Sequence, residues 1–303
     1  MHTNAISQPT QQVLKTRSLA TRVMITALDY LTGAIGSVAG ALESHKIKLE
    51  YLEYAPRPDD IFVVTFPRSG TTLVQMILYQ IFTDGEMDFP HILEWSPHFE
   101  SDFHRRSIEH LPSPRVIKSH LDYKMIPKGP CKYIYVVRNG KDVAVSYFHY
   151  CRTHLGFNKD LGEFFELFLK GAYGVPTWFE HVGQWWENRH NLDILFLTYE
   201  ELKRNREGAI GKILAFCGKD VGPEKFARIM ERSSFAFMKQ YEDKFDTLTW
   251  DLIEIKPKAG NFIRKAEVGQ WKECLSIEQD ELFQRKFTKR LNNLSAELKD
   301  IIR

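Results

Sequence analysis

The residues best equipped for chemistry are cationic or hydroxylic, and they fall where the chain passes from one element to the next. Pro67-Arg-Ser-Gly-Thr-Thr72 follows a short apolar run and precedes a helical pattern. A tight turn that opens a helix aims unpaired backbone N–H groups and the positive helix end at an anion. Arg68 adds a fixed charge, Ser69, Thr71 and Thr72 add hydroxyl donors, and Gly70 allows the turn. The plain alternative is an ordinary strand-to-helix turn. Lys118 and His120 stand two apart in Arg115-Val-Ile-Lys-Ser-His120, so an extended chain projects both to one side. Arg138 closes a second apolar run, with Ser146 about two helical turns into the segment behind it. Ser146 can reach a ligand of Arg138 only if that helix runs alongside. Arg264-Lys265 is a third basic piece. Cationic groups spread in this way suit one ligand with more than one anionic centre.

These side chains need elements to position them. Ile61 to Thr65 is a β-branched and aromatic run that reads as a fully buried strand. Pro67, Ser69 and Gly70 break it, and Leu73, Met76, Ile77, Tyr79 and Gln80 continue with a helical period. Arg115–His120 reads as a short strand. Lys132–Arg138 is a second buried strand, stopped by Asn139-Gly140, with a helix starting at Lys141. Asn191–Leu197 is a third, ending in Thr198-Tyr199. A polar residue closing an apolar strand lies at the carboxyl end of a sheet, where open α/β folds bind ligands. Further helices are expected over 161–171, 177–190, 206–217, 223–232 and 278–303, with a loop from Ser233-Ser-Phe235 to about Asn261. Strands alternating with helices predict one α/β domain over residues 51–303, a central parallel sheet flanked by helices.

Size and composition narrow the class. The 303 residues carry a hydrophobic fraction of 43%, a charged fraction of 26% and a net charge of +2, as in an ordinary soluble globule. A nucleic-acid binder would show a basic stripe or far higher net charge, so no nucleic-acid partner is expected. Cys131, Cys151, Cys217 and Cys274 form no closely spaced pair and indicate neither a zinc site nor a disulfide framework. His91, His98, His104 and His110 are spaced by seven, six and six, which fits no common ligand pattern. They read as loop and substrate-pocket lining, within an aromatic stretch from Phe89 to Phe103. Residues 1–50 form an extension. Its segment 23–42 is long enough to span a bilayer but holds Asp29, two Thr, a Ser and three Gly. A docked amphipathic helix is favoured there over membrane contact.

Taken in order, these motifs resemble the sulfotransferases that use 3′-phosphoadenosine 5′-phosphosulfate (PAPS), especially the cytosolic type, over roughly residues 50 to 285. Phe66-Pro-Arg-Ser-Gly-Thr-Thr72 is similar to the family's 5′-phosphosulfate loop, and Lys118-Ser119-His120 to its catalytic Lys-x-His. Arg138 with Ser146 eight residues later resembles its 3′-phosphate motif. Arg264-Lys-Ala-Glu-Val-Gly-Gln-Trp-Lys272 is similar to its Arg-Lys-Gly-x-x-Gly-Asp-Trp-Lys segment, with Ala266 and Gln270 replacing Gly and Asp. Tyr199, Ser233 and Phe235 match family positions near the nucleotide base. Lys272-x-x-x-Ser276-Ile277-x-x-x-Glu281 is close to the family's dimer motif.

The resemblance implies a P-loop nucleotide-kinase-like sulfotransferase fold, a cytoplasmic enzyme and PAPS as co-substrate, with adenosine 3′,5′-bisphosphate (PAP) as product and no metal. It implies a small-molecule hydroxyl or amine acceptor, and it raises a homodimer as an option. Arg68, Ser69, Gly70, Thr71, Thr72, Arg138, Ser146, Tyr199, Ser233, Phe235, Arg264, Lys265 and Ala266 would hold the donor. His120 would be the general base, its ordinary pKa of about 6.5 leaving neutral imidazole available, with Lys118 and Arg68 meeting the developing charge. The pocket beside it would draw on Phe89–Phe103, Tyr147–Tyr150 and Tyr241–Trp250. Arg68 stands where cytosolic members carry Lys, and Leu73 where they often carry Trp. Two alternatives remain: a nucleotide-kinase-like phosphotransferase, although the full Gly-x-x-x-x-Gly-Lys-Ser/Thr loop is absent, and a catalytically silent homologue.

Overall fold

The structure is a computed structural model that describes residues 54–101, 108–171, 176–246, 262–264 and 267–302. Segment 23–42, Lys265 and Ala266 lie outside these residues. Residues Ala55–Arg303 form one compact unit. Its strands are β1 (Ile61–Thr65), β2 (Val116–Ser119), β3 (Lys132–Val137) and β4 (Asp193–Thr198). Among the described residues they make a four-stranded sheet in the order β2-β1-β3-β4, with every pairing parallel. From β1 the chain crosses to β2 on one side and then to β3 on the other. The order therefore reverses between β1 and β3, and a ligand crevice opens at the carboxyl ends of such a pair.

Side chains alternate between two packed layers, as the two-residue period requires. On one face Ile61, Val63, Ile134 and Val136 pack with Val74, Ile77, Leu78 and Ile81 of helix α1 (Thr71–Phe82). Phe62 lies on the other face, stacked on Tyr133 at 5.6 Å and meeting Phe99 edge-on at 5.8 Å. Each fully buried side chain of this kind contributes about 1.5–3 kcal/mol.

The remaining helices follow in order. They are α2 (Ile92–Trp95), α3 (Gly140–His154), α4 (Leu161–Lys170), α5 (Trp178–Glu187), α6 (Tyr199–Arg204), α7 (Arg206–Phe216), α8 (Pro223–Arg232), α9 (Phe235–Gln240), α10 (Trp271–Cys274), α11 (Ile277–Arg290) and α12 (Ala296–Ile302). Asn139 starts α3 by accepting from the amides of Lys141 and Asp142. Gly140 is required there, because a Cβ would lie 2.6 Å from Phe283 of α11. No helix of the described residues is long and apolar enough to cross a membrane.

Three expectations need correction. β4 is not fully buried: among the described residues it pairs only with β3, as an edge strand with Asp193 exposed and tied to Lys132. The stretch after Ser233 is not all loop, since Ser234 caps α9 by accepting from Phe237 N–H. The C-terminal helix is two helices, broken where Leu291 and Leu294 turn inward and become buried.

Candidate functional site

The loop between β1 and α1 has the conformation of an anion cradle. Arg68 has φ +68° and Gly70 φ +103°, both left-handed. A non-glycine residue held there stores about 1 kcal/mol or more of strain, a feature that clusters at ligand clamps. Gly70 is the N-cap of α1 and makes no side-chain cap bond. A Cβ on it would lie 2.8 Å from the Tyr199 ring, so the position needs glycine on both counts. Successive backbone N–H groups in such a turn form a concavity for an anion. Ser69 is fully buried, and its Oγ has no hydrogen-bond partner among the described residues. Thr71 Oγ1 bonds Thr65 Oγ1 at 2.6 Å, and Thr72 is half-buried in the first turn of α1.

Arg138 emerges from β3 across the crevice. Its Nη1 donates to the Arg68 carbonyl at 3.1 Å, its Nη2 to the Glu267 carbonyl at 3.0 Å, and its guanidinium lies 4.3 Å from the Tyr199 ring centre. Its Nε is buried without a partner among the described residues. Two orphaned polar groups, one cationic and one hydroxylic, beside a cradle of amides fit a phosphorylated ligand. Arg264 belongs to the same group, its guanidinium donating to Gln270. Asp142 fixes the turn between them by accepting from the amides of Gly269 at 2.6 Å and Trp271 at 3.0 Å.

Helix α3 does run alongside the loop, as Ser146 requires. Arg68 Nε lies 3.5 Å from Ser146 Oγ, and its Nη2 donates to the Phe262 carbonyl at 2.7 Å. The guanidinium sits against the rings of Tyr150 at 4.9 Å and Phe262 at 4.7 Å. Burial lowers its pKa to about 10, which leaves it charged at neutral pH.

The strand-end pair also meets the loop. The register sets Val64 opposite Ser119, which brings His120 level with Thr65. His120 Nδ1 lies 2.9 Å from the Thr65 carbonyl, which can only accept, so Nδ1 carries the proton and Nε2 is left as acceptor. Burial, then the charge of Lys118 and then His98, hold the His120 pKa well below its usual value. The ring is therefore neutral at pH 7, with Nε2 unprotonated. Lys118 is buried at 9% exposure on the same strand.

Other partners of His120 carry no sequence signature. Glu100 accepts from the His120 backbone amide and from Ser119 Oγ at 3.2 Å, and pairs with His98 Nε2 at 3.4 Å. Burial pushes the Glu100 carboxyl up, but His98 and His120 outweigh it and bring it down to about 2. His98 meets His120 edge-on at 5.3 Å, and His181 Nε2 lies 3.2 Å from the His120 carbonyl.

Some expected residues make contacts within the protein. Ser233 Oγ donates to the Ile229 carbonyl at 2.6 Å, and Phe235, at 36% exposure, lies under Lys203. His91 caps α2 by accepting from Leu93 N–H. Phe89 and Phe99 are core, at 8% and 0% exposure, so the pocket lining expected from Phe89–Phe103 shrinks.

Comparisons with known proteins show the family. The family model described as the sulfotransferase domain matches residues 58–295. Among curated relatives, an amine sulfotransferase of Oryctolagus cuniculus is 34% identical over 251 residues, covering 80% of this chain and 83% of its own. Sulfotransferase 1 family member D1 of Mus musculus is 33% identical over 279 residues, covering 86% and 92%. A mouse sulfotransferase crystallised with PAP superposes with a TM-score of 0.67 at 31% identity, covering 82% of this chain and 90% of its own. Retinol dehydratase in complex with retinol and PAP gives a TM-score of 0.72 at 25% identity, covering 82% and 86%. The chain, with its paired left-handed loop residues and its neutral His120, belongs to the PAPS-dependent sulfotransferase family.

Proposed function

We propose that this sulfotransferase moves a sulfuryl group from PAPS to the hydroxyl or amine of a small apolar acceptor, with His120 as general base. The observation that carries the proposal is the hydrogen bond from His120 Nδ1–H to the Thr65 carbonyl, because it fixes Nε2 as the ring's proton acceptor. PAPS supplies the activated sulfuryl group and a bisphosphate leaving group. The loop amides, Ser69 and Thr72 are assigned to its 5′ end, and Arg138, Ser146 and Arg264 to its 3′-phosphate. Tyr199 faces the Arg138 guanidinium and supports a role beside the base. His120 Nε2 takes the proton that the acceptor loses, and Lys118 and Arg68 place positive charge where negative charge develops. The relatives support an apolar acceptor, one being crystallised with retinol, and amines are kept by the likeness to the amine sulfotransferase.

His120→Ala tests the assignment. A positioned base contributes about 10²–10⁴-fold, so transfer to a phenol or amine acceptor should fall by at least about 10²-fold. PAP binding by titration calorimetry should stay within about twofold. A variant that keeps a tenth of the wild-type rate contradicts the role.

A further inference from the structure

Arg68 raises a positioning problem. Its guanidinium is planar, long and directional, unlike a compact ammonium, so its place must be set by what touches its faces. Two rings do so, Tyr150 at 4.9 Å and Phe262 at 4.7 Å. Both rings converge on a third. His154 is stacked on Tyr150 at 4.4 Å with 17° between planes, and meets Phe262 at 6.1 Å and 65°. The His154 side chain, 1% exposed, bonds through Nε2 to Asp246 Oδ1 at 3.0 Å, and Asp246 is equally buried. The Phe262 end is fixed separately, since the Ile263 amide donates to Glu242.

We propose that the His154–Asp246 pair is a positioning device for Arg68, acting through the Tyr150 and Phe262 rings that grip the guanidinium. It deepens the sulfotransferase reading and rests on it. Asp246 anchors the imidazole, the imidazole fixes both rings, and the rings together with the Phe262 carbonyl hold the guanidinium's plane and reach. The device belongs to Arg68 in particular. A lysine ammonium offers no plane for the rings to orient, so it would gain little from His154.

A double-mutant cycle with a ligand-free readout tests this. His154→Gln removes the ring but keeps a hydrogen-bonding group for Asp246. Displacements of about 1 Å near a reacting centre cost up to about 10²-fold. His154→Gln should therefore lower kcat by at least about fivefold, with PAP affinity unchanged within about twofold. In an Arg68→Lys background the same change should move kcat by less than about twofold. In the unliganded protein, the NMR signal of Arg68 Nε–H should lie upfield through ring currents and move toward its free value in His154→Gln. Equal losses of kcat in both backgrounds, or an unmoved Arg68 signal, overturn the proposal. Should His154→Gln fail to fold, Asp246→Asn carries the same cycle and the same NMR criterion. If the wild type transfers no sulfuryl group while the Arg68 signal still moves, the functional reading fails and the positioning stands.

Discussion

The two ends of the sheet bury charge in opposite ways. At the amino end, Asp60 and Arg115 are 0% and 1% exposed and joined by two hydrogen bonds of 2.6 Å. The same carboxylate also accepts from the Arg57 amide at 2.8 Å. The backbone there is saturated too, with Ile61 N–H on the Arg115 carbonyl and Lys132 N–H on the Asp60 carbonyl. At the carboxyl end, Ser69 Oγ and Arg138 Nε are buried without partners among the described residues, and Arg68 is held left-handed. An unmade bond at a buried polar atom costs about 1–3 kcal/mol. A scaffold removes such costs, while a binding site retains them until a ligand arrives. The difference separates what holds the domain together from what the proposed donor site leaves open.

The largest expected effect lies at the saturated end. Arg115→Met leaves the Asp60 carboxylate buried without its cation, which costs about 3–5 kcal/mol. Denaturant unfolding should show that loss, while PAP affinity of the folded fraction stays within about twofold. Arg138→Met should do the reverse. Hydrogen bonds to charged groups contribute about 1.5–3 kcal/mol, so PAP binding should weaken by at least about tenfold in calorimetric titration. Unliganded stability should fall by less than in Arg115→Met, by about 1–3 kcal/mol, because its protein partners are two backbone carbonyls and not a buried carboxylate. If both variants lose stability and affinity in step, the distinction between the ends collapses.

A smaller effect comes with pH. Burial lowers His120 well below its usual value and His181 to about 4. Below pH ~6.5 the unfolded chain takes up protons at both positions and the folded protein does not. Stability is therefore full above that pH and falls as pH drops toward the folded values, by at most about 1.4 kcal/mol per unit for each histidine. The acid limb of kcat/KM should lie below pH ~6.5 for the same reason. Lys118→Met removes a like charge and should move that limb upward, which a pH–rate profile reads directly.

Much of this was legible before the fold was known, for physical reasons. Ile61–Thr65 and Lys132–Val137 are short β-branched runs, buried on both faces, and such strands show themselves by composition alone. The loop announced itself because only a turn residue fits where Gly70 stands. What stayed hidden depends on contacts distant in sequence. The Thr65 carbonyl that sets the His120 tautomer lies 55 residues away. Glu100 and His98 sit in an irregular stretch with no period to read, and the rings around Arg68 come from two separate segments. Phe89 and Phe99 misled because an aromatic loop residue looks alike in core and in pocket. The Ser233 hydroxyl donates to its own helix, a contact that sequence position alone does not reveal.

Ser69 tests the comparison most directly, since its buried hydroxyl touches no polar partner among the described residues. Ser69→Ala should be measured by unliganded unfolding and by calorimetric titration with PAP. If the hydroxyl is kept for the donor, unliganded stability holds or rises, by up to about 1–3 kcal/mol as the unmade bond is removed, while PAP affinity falls by at least about fivefold. An unchanged affinity, or a loss of stability that accounts for the weaker binding, would show that the open end of the sheet is not held in reserve for PAPS.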